Sequence, residues 1–309
     1  MTAAPPRPAE PRLIRAPIPA VSSGGRAGTA SVGCALALLV GLLVGLLGAV
    51  TPTRAAAAER DRIEAFLQVT GFDVALDSIA LSAADAPAML GFDPAMFGPA
   101  WDRLVADVFD TAGMRGMALD ILEDTLDDAL LAHAAEFYAS DLGQRLVAVE
   151  NASHMARDEG DGHDRGAAIL ERLRAVAAPR LAILERMNAA IDAGGQGLHA
   201  LQEIQLRFLM AASAAGVIEL RLDEGELRAI LAENLEAMRA EMRESALASA
   251  AETYRDFTDA ELTRYAEALE APEMRRVYEL LNAVQYEIMA NRFEALALRM
   301  GDLQPGQDI

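Results

Sequence analysis

The sequence contains no lysine: all 27 basic residues are arginine. Together with its abundant alanine, this reads as a bias toward GC-rich codons and carries no functional signal. There is one cysteine, Cys34, at the start of an apolar run near the N-terminus. A lipoprotein cysteine follows its apolar run, whereas Cys34 precedes it, so lipid attachment is not expected. The chain beyond that run has no cysteine, which excludes disulfides, thiolate catalysis and cysteine–zinc sites there. Aromatic residues make up 5% of the chain and Trp101 is the only tryptophan, too few to wall a sugar cleft. β-Branched residues are sparse, and no segment alternates with period two long enough to read as a strand. Neither a P-loop nor a dinucleotide fingerprint occurs, so no cofactor is implied.

What remains is alanine, leucine, arginine and acid, a composition that favours helices. At 309 residues the chain can form one large domain or two smaller ones. The net charge is −20. Residues 1–57 hold five arginines (Arg7, Arg12, Arg15, Arg26 and Arg54) against one acid, Glu10, so the rest is more acidic still. Such a chain is repelled by nucleic acid and by anionic lipid surfaces.

Residues 1–32 are rich in Pro, Ala, Gly and Arg without apolar periodicity, and Gly33–Val50 is a continuous apolar run. Thr51–Arg54 breaks it, and Ala55–Ala58 follows. A positive start, an apolar middle and an A-x-A end describe a secretory signal over residues 1–57, with cleavage expected near Ala57 or Ala58. The alternative is an uncleaved anchor through residues 33–50, the only membrane contact the sequence offers. Either reading puts the remainder outside the cytoplasm, in the periplasm.

Downstream the punctuation is Gly71, the GFDPAMFGP stretch Gly91–Pro99, the glycine-rich Arg157–Gly166, Pro179 and the turn Gly194–Gly197. Helices are expected over Glu59–Val69, Asp73–Leu90, Trp101–Met114, Arg115–Tyr138, Ala167–Ala193 with a kink or restart at Pro179, Leu198–Leu222, Glu224–Tyr254, and onward from the capping box Thr258-x-x-Glu261. From Pro272 a long helix carries Met274, Val277, Leu281, Val284 and Ile288 at spacings suited to a partner helix.

The most informative stretch is Ala129–Asn151. Leu126, Leu130, Leu131, Ala134, Phe137 and Tyr138 share a helical face, then Ser140 is placed to cap a second helix whose apolar face is Leu142, Leu146 and Val149. Gly143, one turn inside that helix, costs about 1 kcal/mol against alanine, which implies close approach of another backbone. A shift of 131 residues carries this stretch onto Ala260–Asn282, with Asp128/Asp259, Leu131/Leu262, Glu136/Glu267, Arg145/Arg276 and Asn151/Asn282 among the identities. The break recurs at Ala271-Pro272 in different chemistry. We therefore expect an all-α helical bundle of two pseudo-repeated halves, 58–193 and 194–309, the second holding a degenerate copy of the hairpin.

Phe137-Tyr138-x-Ser140-x-x-Gly143-x-Arg145-Leu146 resembles the FY-x-S-x-x-G-x-(K/R) motif of a bacterial periplasmic family catalogued only as a domain of unknown function. The resemblance implies an all-helical fold and export, and supplies no activity. That family's motif often opens with F-T-x-x-E-L. Here those residues stand in the second copy, as Phe257-Thr258-Asp259-Ala260-Glu261-Leu262, and that copy lacks the Phe-Tyr, the Ser and the Gly. Phe137, Tyr138, Ser140, Gly143 and Arg145 are read as structural, with any binding role undefined.

No catalytic constellation emerges. His133, His154, His163 and His199 do not pair at metal-ligand spacing. Asp158, Asp161, His163 and Asp164 crowd one loop, but the calcium ladder is interrupted by Gly160 and Gly162, so no metal site is expected. Glu123, Asp124, Asp127 and Asp128 read as a solvated helix face. Ser140 lacks a nucleophile elbow. Met89, Met96, Met114, Met117, Met210 and Met300 read as core filling, the alternative being an adaptable apolar groove. The functional expectation is a non-enzymatic periplasmic binding or interaction module for a partner protein or apolar ligand, without nucleic acid. The alternatives are a carboxylate/histidine hydrolase using His133 or His154, and a membrane-anchored scaffold.

Overall fold

The computed structural model describes residues 52–83, 86–92, 98–156, 161–192, 195–233 and 235–303. The apolar run 33–50 and the leader around it lie outside the described residues. Among those described the chain is all-α, without strands: α1 Pro52–Thr70, α2 Phe72–Ser82, α3 Ala86–Met89, α4 Gly98–Val108, α5 Thr111–Thr125, α6 Asp128–Tyr138, α7 Asp141–Met155, α8 Asp161–Ala175, α9 Pro179–Ile191, α10 Gln196–Ala214, α11 Glu224–Ala232, α12 Leu235–Thr253, α13 Asp259–Glu270 and α14 Pro272–Met300.

Most boundaries follow from capping chemistry. Asp110, Asp127 and Ser140 each accept a hydrogen bond from the amide three residues on, opening α5, α6 and α7. The amides left free at a helix start need such acceptors. Asp223 with Glu226 and Thr258 with Glu261 form reciprocal capping boxes at α11 and α13. Pro179 and Pro272 occupy the first turns of α9 and α14, where a missing N–H costs nothing.

Several helices are shorter than their periodicity suggests, because those caps interrupt them. Arg115–Tyr138 is divided at Leu126-Asp127, and Trp101–Met114 at Phe109-Asp110. α10 stops at Ala214, where the amides of Val217 and Ile218 turn back to the Ala212 carbonyl. In the other direction, the glycine-rich segment expected as a loop is helical from Asp161. Its glycine has a packing reason: a Cβ on Gly166 would fall on the Ala248 backbone, 2.8 Å from the carbonyl carbon. Only glycine lets α8 lie this close to α12.

α14 is the spine. Eleven of its residues are buried, from Met274 to Met300. It runs along α10 and also packs on α4, α5, α6 and α9. α8 lies on α12, and α9 on α13. α1 and α2 meet at a 72° bend at Gly71, whose φ is +74°. Among the described residues no single helix is long and apolar enough to cross a membrane. The bent pair Glu59–Thr70 and Phe72–Ser82 passes on length and composition, but its apolar side chains (Ile63, Phe66, Leu67, Leu76 and Ile79) are buried in the core.

Candidate functional site: a tyrosine–carboxylate cavity

The site is built on the corner between α6 and α7. Ser140 Oγ accepts from Gly143 N at 3.1 Å and donates to the Phe137 carbonyl at 2.6 Å. Gln144 Nε2 donates to the Tyr138 carbonyl at 2.7 Å. The last carbonyls of α6 are thus satisfied by the first turn of α7. A Cβ on Gly143 would sit 2.6 Å from Tyr138 Cα, and closer still to the Phe137 oxygen. The backbone approach expected at Gly143 is real, but it comes from the hairpin's own first arm, so the turn itself requires glycine in this copy.

That corner fixes the direction of Phe137 and Tyr138. Phe137 stacks on Tyr265 of α13, ring centroids 5.7 Å apart and planes 7° from parallel. Tyr138 Oη lies 2.5 Å from Tyr278 Oη and 3.3 Å from Tyr265 Oη. Arg145 reaches the start of α13, pairing with Glu261 at 2.5 Å and lying over the Phe257 ring at 5.3 Å. The FY-x-S-x-x-G-x-R and F-T-x-x-E-L segments, far apart in sequence, therefore meet in space. Glu261 is held down to about 2 by Arg145 first and by the Thr258 cap second.

Glu150 lies at the centre. Tyr254 and Tyr265 both donate to its Oε1, at 2.7 and 2.9 Å. Its Oε2 accepts no hydrogen bond from a described residue. Burial pushes this carboxyl above its ordinary value, opposed by the two tyrosine hydroxyls. Burial likewise raises Tyr138, Tyr254, Tyr265 and Tyr278, with the Glu150 charge adding to the effect. Four of the chain's five tyrosines therefore share one hydrogen-bonded cluster with one carboxylate.

This cluster walls a cavity of about 290 Å³. Its polar side holds Glu150, Asn151, Ser153, His154, Asn188 and Thr253; its apolar side holds Phe72, Ala75, Met187, Val277 and Leu281. Asn188 Nδ2 is buried without a partner. His154, exposed overall, is shielded enough at the rim for burial to lower its pKa. A second cavity of about 470 Å³ adjoins, lined by His199, Glu203, Arg228, Tyr286 and Glu287. Its Arg228 is already paired with Glu203 and Glu224, at 2.9 and 3.0 Å. Asn282 and Ile191 belong to both linings, and Asn282 Nδ2 donates to the Ile191 carbonyl at 2.9 Å between them.

The other candidates are dispersed. His133 is half-buried on α6 and lines neither cavity; His163 and Asp164 are exposed on α8, and Asp158 lies outside the described residues. Among the described residues no three His, Cys, Asp or Glu side chains are grouped to hold a metal. Of the acids around the start of α6, Asp127 caps, Glu123 pairs with Arg60 at 3.0 Å, and Asp128 pairs with Arg62 at 2.7 Å. Ser140 is a cap. Met114 and Met300 are core, Met89 is exposed, and Met96 lies outside the described residues, so these methionines form no shared groove.

Sequence reasoning missed Glu150, Tyr254, Tyr265 and Tyr278 as a site. A signal existed: Glu150 follows buried Leu146 and Val147 by four and three positions, an acid on an apolar helical face.

Fold and cavity together define an all-helical protein with an internal tyrosine–carboxylate site. Residues 112–172, from α5 into α8, match the model of a family described as an uncharacterized protein conserved in bacteria (DUF2059). The match includes the corner and Glu150, and excludes Tyr254, Tyr265 and Tyr278. No curated protein and no solved structure matches the chain.

Proposed function

We propose that this is an exported, non-enzymatic binding module whose ligand, a small molecule with a polar head and an apolar body, occupies the tyrosine-walled cavity. The carrying observation is the open Glu150 Oε2 on that wall. Among the other polar groups the tyrosine hydroxyls interlock and Thr253 Oγ1 donates to Ser153 Oγ at 3.1 Å, while Asn188 Nδ2 is left open. This supports holding a ligand over activating one, because a nucleophile needs a base within hydrogen-bond reach. No hydrogen bond among the described residues joins His154 to Ser153, Ser249 or Glu150. The motif residues Phe137, Tyr138, Ser140, Gly143 and Arg145 serve on this reading to aim and brace the wall.

The test is equilibrium dialysis against a small-molecule extract of the producing cells, read by mass spectrometry. The control is Ser249→Phe, which fills the mouth from an exposed position on α12. Compounds enriched by the wild type and not by the variant support the reading; equal profiles overturn it. A hydrolase would instead deplete a compound and release its fragments, with Glu150→Gln abolishing the loss.

Export rests on the arginine-rich start, the apolar run and Ala55–Ala58. Intact mass of the exported protein tests it: a species retaining Leu36–Val50 excludes cleavage and favours the anchored scaffold. We also propose that residues 58–193 and 194–309 descend from one duplicated unit. Support comes from the matching corners at Ser140 and Ala271, and from Asn151 and Asn282, equivalent under the shift, both lining the cavity. An experimental structure in which the two hairpins cross at unrelated angles overturns this.

A further inference from the structure

We propose that the ligand of this cavity carries a primary ammonium group, seated on Glu150 Oε2. The inference rests on the cavity being a binding site and adds the charge of what it holds. A half-buried carboxylate with one oxygen open to the cavity gains from a positive partner. Among the described residues there is no such partner: no arginine lines the cavity.

The titratable groups facing Glu150 are the hydroxyls of Tyr138 (α6), Tyr254 (after α12), Tyr265 (α13) and Tyr278 (α14), with His154 of α7 at the rim. All four tyrosines are raised, so they remain neutral donors, and both that touch Glu150 are spent on Oε1. His154 is lowered, so its ring is uncharged near neutrality. From α2 and α9 the wall receives Phe72, Ala75, Met187 and Asn188, none of them ionisable.

The whole molecule acts in the same direction. A net charge of −20 concentrates cations at the surface and repels anions. A primary ammonium is preferred to a quaternary one because the polar wall offers acceptors for its N–H groups, beside the unpartnered donor Asn188 Nδ2. Besides Glu150 it offers side-chain oxygens of Asn151, Ser249 and Thr253 to the remaining N–H groups. The apolar side suits a short aliphatic body, and a volume of about 290 Å³ restricts the ligand to a small molecule.

Three matched probes test this by calorimetry at neutral pH on the exported protein: n-butylammonium, n-butanol and butyrate. The ammonium should bind at least about tenfold more tightly than the alcohol, the margin of a charge-assisted hydrogen bond, and butyrate should not bind. Glu150→Gln should erase the preference. Should that variant not fold, acidification of the wild type should erase it instead, as Glu150 takes up its proton. Equal binding of ammonium and alcohol, with Ser249→Phe blocking both, overturns the ammonium while leaving the cavity as the site. Binding of none, or binding unaffected by Ser249→Phe, overturns both.

Discussion

Gly143 and Glu150 show how single positions set this structure. Adding one methyl at Gly143 forces the end of α6 away from α7, since the colliding atoms are backbone and have no rotamer to yield. Gly143→Ala should therefore destabilise by about 1–3 kcal/mol, despite alanine's better helix propensity. A urea midpoint that rises on this substitution would refute it. Glu150 and Glu261 should pull the pH dependence in opposite senses. Burial raises Glu150 above the ordinary 4.5. Its contribution is thus complete below that value and is lost as the pH climbs through the higher folded-state value. Arg145 and the Thr258 cap hold Glu261 at about 2, so its contribution is present above 4.5 and is lost as the pH falls toward 2. Relative to Glu150→Gln, the wild type should lose melting temperature as the pH rises above about 4.5. Relative to Glu261→Gln, it should lose it on acidification below about pH 4.5. The reverse slopes would mean that these environments are misassigned.

At the scale of the element, the helices were legible because each is a run of 3.6-periodic apolar residues closed by recognisable caps: Ser140, Thr258 with Glu261, and the prolines at 179 and 272. Boundaries inside long periodic runs were less legible. Asp127 caps a helix only because the chain turns there, and an aspartate in an acidic surface run gives no sign of that beforehand. The cavity was legible only in part. The corner carrying Tyr138 could be read, whereas Tyr254, Tyr265 and Tyr278 sit on separate elements and converge only through tertiary packing. One helix end stores strain. The turn after α8 closes with Ala178 N to the Leu173 carbonyl at 2.9 Å and Ala177 N to the Arg174 carbonyl at 3.1 Å. Ala177 there takes φ +46°. Left-handed backbone disfavours a Cβ by about 1–2 kcal/mol, and glycine removes that cost at some expense in unfolded-state entropy. Ala177→Gly should raise stability by up to about 1 kcal/mol, measured by chemical denaturation. A loss would show that the turn is not the strained one the backbone indicates.

The whole molecule is held together by α14, about 43 Å of helix at 1.5 Å per residue. It touches α4, α5 and α6 and also α10 and α13, so helices from both proposed halves share one core. Phe293 sits at that junction, edge-on to Phe109 at 5.4 Å and to Phe208 at 5.8 Å, with 3% of its surface exposed. If the halves were independent folding units, damage at Phe293 would be confined to one of them. The shared spine predicts otherwise. Phe293→Ala should cost about 3–5 kcal/mol through lost burial and the cavity left behind. It should also move the entire unfolding transition as one. Trp101, the only tryptophan, lies buried in α4 and reports on the first half by fluorescence, while circular dichroism reports on all helices. The two curves should coincide in the wild type and shift together in the variant, as a two-state transition requires. A Trp101 transition that separates from the helical one, and stays in place when Phe293 is removed, would show two folding units joined by a helix. In that case ligand bound at the tyrosine cavity, whose walls come from both halves, would stabilise their contact and not the fold of either.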